Sequence, residues 1–93
     1  MTAFDSVLER MRDIHERKNH DYGNSFSKSF EEFGIISAVV RMSDKMERLK
    51  SLCKKEAMVN ESVKDTLLDL ANYAVMSIAE LEKSEIEELV DNV

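Results

Sequence analysis

Proline and tryptophan are absent, glycine occurs only at positions 23 and 34, and cysteine occurs once. Without proline, and with so little glycine, the chain lacks the residues that most often stop helices, while Leu, Met, Glu, Lys, Arg and Ala favour them. A single thiol, Cys53, excludes an internal disulfide and suits a reducing compartment. No CxxC pair or His/Cys cluster is present, which argues against structural zinc. No apolar run approaches the roughly 20 residues needed to span a bilayer. The N-terminal stretch MTAFDSVLERMRD carries acids early and has no apolar signal segment. The expectation is a cytoplasmic protein with no membrane contact.

What is present is charge. Nineteen acids against 13 bases give a net charge of −6, and 34% of the 93 residues are charged against 43% apolar. That mix is too apolar for disorder and too charged for a membrane protein. One domain over residues 1–93 is expected, with a modest core. An acidic surface repels phosphate backbones, so general nucleic-acid binding is disfavoured. It leaves room for one nucleotide in a local basic pocket or through a bridging cation. It also leaves room for a surface that imitates nucleic acid to engage a protein.

Periodicity predicts an all-α fold. Phe4, Val7, Leu8, Met11, Ile14 and His15 follow helical spacing, so a first helix runs from about Ala3 to Asn19. Thr2 and Asp5 form a capping box at its start. The segment NHDYGNSFSKS, from Asn19 to Ser29, reads as a loop. A second helix starts at Ser29, where Ser29 and Glu32 match S-x-x-E, and Gly34 is a candidate interruption of its first turn. Its stripe is Ile35, Val39, Met42, Met46, Leu49 and Cys53, with Cys53 read as a small core hydrophobe. Glu56 to Asn60 connects to a third helix, from about Asn60 to Lys83, which is apolar most of the way around. Such a helix needs cover on most sides, so a homodimer or larger homo-oligomer packed on it is expected. Ser84 and Glu87 predict a short separate C-terminal helix carrying Ile86, Leu89 and Val90.

Polar residues interrupt these faces. Arg41, Asp44, Lys45 and Arg48 share one side of the second helix, with Glu47 three residues after Asp44. Glu61, Asp65, Asp69 and Asn72 share one side of the third. Carboxylates in an apolar run need partners, because an unpaired buried charge is costly. Two readings compete: an ion-pair network in which Arg41 and Arg48 bridge to Asp65 and Asp69, or acids from two helices around Mg²⁺ with the bases on phosphate. In the loop, Lys18, Asp21, Tyr22, Asn24, Ser25 and Phe26 combine charge, hydrogen-bonding groups and rings that could stack on a base. Packing of those rings onto the bundle is the plainer alternative. His15 reads as a core-edge residue and His20 as solvated.

Three segments in order, KNHDYG (18–23), RMSDKMERL (41–49) and ESVKDTLLDLANYA (61–74), resemble the phage and bacterial family called nucleotide modification associated domain 1. That family in turn resembles the all-α MazG-like nucleoside triphosphate pyrophosphohydrolases, which carry E-x-x-E on one helix and E-x-x-D on the next. Here the pattern is Asp44-x-x-Glu47 and Glu61-x-x-x-Asp65, with Asp in the first place and one extra residue in the second pair. The resemblance implies an antiparallel bundle of three long helices plus a short C-terminal helix, forming oligomers. It implies a Mg²⁺ site of Asp44, Glu47 and Asp65, with Glu61 or Asp69 orienting a water. Lys45 and Arg48 would contact phosphate; Arg41, Asn72 and the loop residues Lys18, Asp21, Tyr22, Asn24 and Phe26 would complete the nucleotide site. The expected activity is Mg²⁺-dependent cleavage of a nucleoside triphosphate. The alternatives are a phage protein that sequesters a host nucleotide signal without cleaving it, in the host cytoplasm, or an acidic inhibitor of a host protein.

Overall fold

The protein is seen in a computed structural model that describes residues 1–22, 24–54 and 60–91, the side chains of Asp21, Tyr22, Asn60, Glu61, Ser62 and Asp91 excepted. The described residues form four helices and no strand: α1 (Ala3–Tyr22), α2 (Ser25–Phe33), α3 (Ile35–Cys53) and α4 (Asn60–Asp91). None is long and apolar enough to cross a membrane.

The capping box at the start of α1 is present. Asp5 Oδ2 accepts from the Thr2 backbone N–H (3.2 Å) and hydroxyl (2.8 Å), and Thr2 Oγ1 accepts from the Asp5 N–H (3.1 Å). Those bonds hold the Asp5 carboxyl below its ordinary pKa, the Thr2 hydroxyl being the largest cause.

Most of the expected Asn19–Ser29 loop is helical instead. The first helix continues to Tyr22, and α2 starts at Ser25. The cause is burial: Phe26 and Phe30, four residues apart, put both rings on one face, and with Ala38 they form the buried core. Polar composition misled here because two anchored rings outweigh the weak helix propensity of Ser and Asn. Ser29 is therefore inside α2, not at its cap.

Gly34 does break the helix, separating α2 from α3. Its φ of +73° and ψ of −159° are closed to residues with a side chain, and its N–H caps the Phe30 carbonyl at 2.7 Å. The chain turns there, which lets α2 fold back beside α3.

Helices α3 and α4 make the main packing pair and run antiparallel, since Arg41 meets Tyr73 and Lys45 meets Asp69. Ala38 is the pivot, 0% exposed, with Met42, Tyr73 and Met76 packed against the core. Four of the six residues of the predicted α3 stripe face outward: Ile35, Val39 and Met46 are exposed, and so is Cys53, which is no core residue. The inward side of α3 is set by Ala38 and Met42, one turn apart, with Leu49 partly buried two turns on, so the stripe is off-centre from the packed face. Of the expected connection from Glu56 to Asn60, residues 56–59 lie outside the described residues, and Asn60 opens α4.

The S-x-x-E at Ser84 starts no new helix. Helix α4 runs unbroken to Asp91, 32 residues or roughly 48 Å. Nothing between Lys83 and Ser84 interrupts it, because no proline or glycine occurs there. This rod gives the molecule its 56 Å long axis and a radius of gyration of 15.6 Å, above the roughly 12–13 Å of a compact chain this long. Ile86, Leu89 and Val90 stay exposed and do not dock on this chain's core.

Candidate functional site

Asp69, on α4, is the centre of charge. Lys18 from α1 places Nζ 2.7 Å from its Oδ1, and Lys45 from α3 places Nζ 2.9 Å from its Oδ2. One carboxylate thereby ties three helices. Partial burial raises the Asp69 carboxyl pKa, but hydrogen bonds from Lys18 and Lys45 and their charges more than offset it, leaving it below its ordinary value. The expected network of Arg41 and Arg48 on Asp65 and Asp69 is replaced, for Asp69, by lysines. The sequence did not separate the two kinds of base, since Arg41, Lys45 and Arg48 share one helix face.

Arg41 does something else. Its guanidinium carbon lies 5.4 Å from the centre of the Phe26 ring and 6.0 Å from that of Tyr73, and its Nη2 donates to Ser29 Oγ at 3.0 Å. The two rings are stacked, with centroids 5.8 Å apart. Arginine, Phe26 and Tyr73 thus form a cation–aromatic layer between α2, α3 and α4. Below it Asn72, buried, donates Nδ2–H to the Met11 carbonyl at 3.3 Å and fixes α1 against α4.

Three cavities open along this layer. The central one, about 100 Å³, is bounded by Lys18, Phe26, Arg41, Asp69, Asn72 and Tyr73 among others. An outer one of about 480 Å³ is lined by Arg41, Asp44, Lys45, Arg48 and Tyr73. A third, about 140 Å³, shares Phe26 and Met76 with the central one and includes Asn24. The central cavity alone is smaller than the roughly 300 Å³ at which small-molecule sites begin, but it shares Arg41 and Tyr73 with the outer one.

The structure therefore brings together Lys18, Asn24, Phe26, Arg41, Asp44, Lys45, Arg48, Asp69 and Asn72 of the predicted residues. It does not bring Glu47 or Asp65 to these cavities. Glu47 is exposed and pairs with Lys50 along α3 at 3.1 Å, and Asp65 is exposed on α4. The side chains of Asp21, Tyr22 and Glu61 lie outside the described residues. No three His, Cys, Asp or Glu side chains among the described residues are grouped so as to hold a metal ion. Sequence reasoning missed Tyr73, Met76, Ser27 and Glu80. Their signal was present: Asp69, Asn72, Tyr73, Met76 and Glu80 are spaced i, i+3, i+4, i+7, i+11, one helical stripe.

Residues 18–81 match the family model described as nucleotide modification associated domain 1. The match covers most of the chain, and the chain belongs to that family. No curated protein and no solved structure matches it.

Proposed function

We propose that this protein binds a nucleotide in the groove formed by the central and outer cavities. The observation that carries the reading is the Arg41 guanidinium lying over both Phe26 and Tyr73 beside Lys45 and Arg48. Aromatic faces and a planar cation take a base by stacking, and Lys45, Arg48 and Arg41 neutralise phosphate oxygens. Lys45 already holds one anionic group, the Asp69 carboxylate, so the site is built to receive negative oxygen. Family membership supports the same reading through its nucleotide-related description.

Retention of the nucleotide is better supported than cleavage. The MazG-like resemblance assigns Mg²⁺ to Asp44, Glu47 and Asp65 and the water to Glu61 or Asp69. The described donors do not fit a metal cage built by the protein alone. They fit an ion that arrives on the ligand, with Asp44 as the protein oxygen in the outer cavity and phosphates and waters completing the shell. Such an ion would neutralise charge on the phosphate oxygens. Calorimetry with a nucleotide panel, with and without Mg²⁺, tests binding, and chromatography of the recovered ligand tests cleavage. Failure of every nucleotide to bind sinks the reading; recovery of monophosphate and pyrophosphate moves it to the hydrolase.

A second copy of the chain completes the molecule in this reading. Leu67, Ile78 and Leu81 are exposed on the side of α4 opposite Asp69, Met76 and Glu80. With Val75 beside them they make an apolar strip that this chain leaves open, while its own buried apolar core is limited to Phe26, Phe30 and Ala38 among the described residues.

A further inference from the structure

The groove has two chemically different ends. Glu80 sits on the α4 stripe three turns beyond Asp69, roughly 16 Å along the axis. It lines the third cavity with Asn19, Asn24 and Ser27, and that cavity meets the central one along Phe26 and Met76. Among the described residues His15 lines this end and no lysine or arginine does, whereas Arg41, Lys45 and Arg48, with Asp44, line the other.

Glu80 is half-buried and oriented. The Ser27 hydroxyl donates to its Oε1, and among the described residues no cation pairs with it. Its second oxygen therefore remains an acceptor at the edge of the aromatic layer. A carboxylate in this place repels phosphate, which sets the direction of a nucleotide: phosphates toward Lys45 and Arg48, base toward Glu80. A carboxylate also only accepts hydrogen bonds, so the base edge it meets must donate. Guanine presents a ring N–H and an amino group side by side, one for the second oxygen and one for the lone pair that Oε1 keeps beside its bond from Ser27. Adenine and cytosine present one amino group next to an acceptor. Uracil and thymine flank their N–H with two carbonyls, which repel the carboxylate.

We infer that Glu80 selects the base, and that the preferred ligand is a guanine nucleotide lying along α4 from Glu80 to Lys45. This rests on the nucleotide reading above and adds the base class to it. Asn19 and Asn24 stand beside Glu80 as amide groups for the remaining polar atoms of the base.

The test is calorimetric titration of the full chain with guanosine, inosine, adenosine, cytidine and uridine triphosphates, repeated on Glu80→Gln and on Lys45→Ala. Guanosine triphosphate is expected to bind tightest. Inosine triphosphate, which lacks only the amino group, should bind roughly ten-fold more weakly, as for one charge-assisted hydrogen bond. Glu80→Gln should bring guanosine and inosine triphosphates within about two-fold of each other, while Lys45→Ala should weaken all five and keep their order. Circular dichroism confirms that each variant retains its helices. Binding of all five with equal affinity, or a guanine preference that survives in Glu80→Gln, overturns the assignment of Glu80 and leaves nucleotide binding intact. Binding of none to the unaltered chain overturns both.

Discussion

Lys18 and Lys45 hold different oxygens of Asp69, at 2.7 and 2.9 Å, from two different helices. The carboxylate keeps two positive groups close together, so its removal leaves them facing each other. Asp69→Asn should cost about 1–3 kcal/mol, the range for hydrogen bonds to charged groups. In a domain this small that lowers the melting temperature by very roughly 4–20 °C, measured by thermal circular dichroism. Lys45→Met, which keeps the stem without the charge, should cost less, because Lys18 remains on Asp69. An Asp69→Asn protein as stable as the parent would show that the two ion pairs contribute nothing.

The same carboxylate predicts the acid response. Its folded pKa is depressed, so its contribution is present above the ordinary carboxylate value of about 4 and disappears as pH falls through the lower folded value. Between pH 6 and 8 this group gives no pH dependence. Urea midpoints measured from pH 7 down to pH 2 should therefore fall below about pH 4, and the fall should be shallower in Asp69→Asn. An identical acid profile in the two proteins would remove Asp69 from the account.

Arg41 is predicted to matter to both stability and ligand. Arg41→Ala loses the Ser29 hydrogen bond and the contact with two rings, worth about 1–2 kcal/mol together. Arg41→Lys keeps the charge but not the planar fork, so it should recover little of the stability. Nucleotide affinity should drop about ten-fold or more in Arg41→Ala, as for loss of a charge-assisted contact. Equal affinity in Arg41→Ala and the parent, by calorimetry, would place the ligand elsewhere.

Gly34→Ala isolates a backbone effect. Beyond its chain neighbours, no atom of the described residues lies within 4 Å of the position a Cβ would take, so the substitution meets no clash there. The cost comes from φ +73° and ψ −159° alone, about 1–3 kcal/mol. Because α2 supplies Phe26 and Phe30, the loss should appear as a weaker aromatic core as well as a lower urea midpoint. An unchanged midpoint would mean the turn relaxes into a conformation open to alanine.

Size in solution tests the second copy. Val75 and Ile78 are exposed on α4, away from the groove. Replacing both with serine should leave the monomer fold intact and shift an oligomer to a single chain in light scattering. A parent protein that is already monomeric at micromolar concentration would refute the partner.

Much of this was legible because helical spacing survives in the chain. The start of α1, the start of α4 and the face carrying Asp69 and Asn72 all follow from apolar periodicity. The residues around Ser25 were not legible, because their helix is held by Phe26 and Phe30 meeting Ala38 and Tyr73, contacts distant in sequence. For the same reason the sequence offers Arg41 only carboxylates or phosphate: pairing of opposite charges is visible in sequence, while stacking on rings from two other helices is not. The face of α3 that Asp44 shares with Arg41, Lys45 and Arg48 is legible in the sequence, and all four line the outer cavity. Glu47, expected beside Asp44, lies at the edge of that face and pairs with Lys50 one turn along.

Helix α4 belongs to two environments at once. Its first half is gripped by α1 and α3, while Ile86, Leu89 and Val90 have no cover from their own chain. Amide hydrogens should therefore exchange with deuterium along a gradient, slowly around Asn72 and quickly toward Asp91, within one unbroken helix. Anything that later settles on the far half would reveal itself first as a slowing of that exchange.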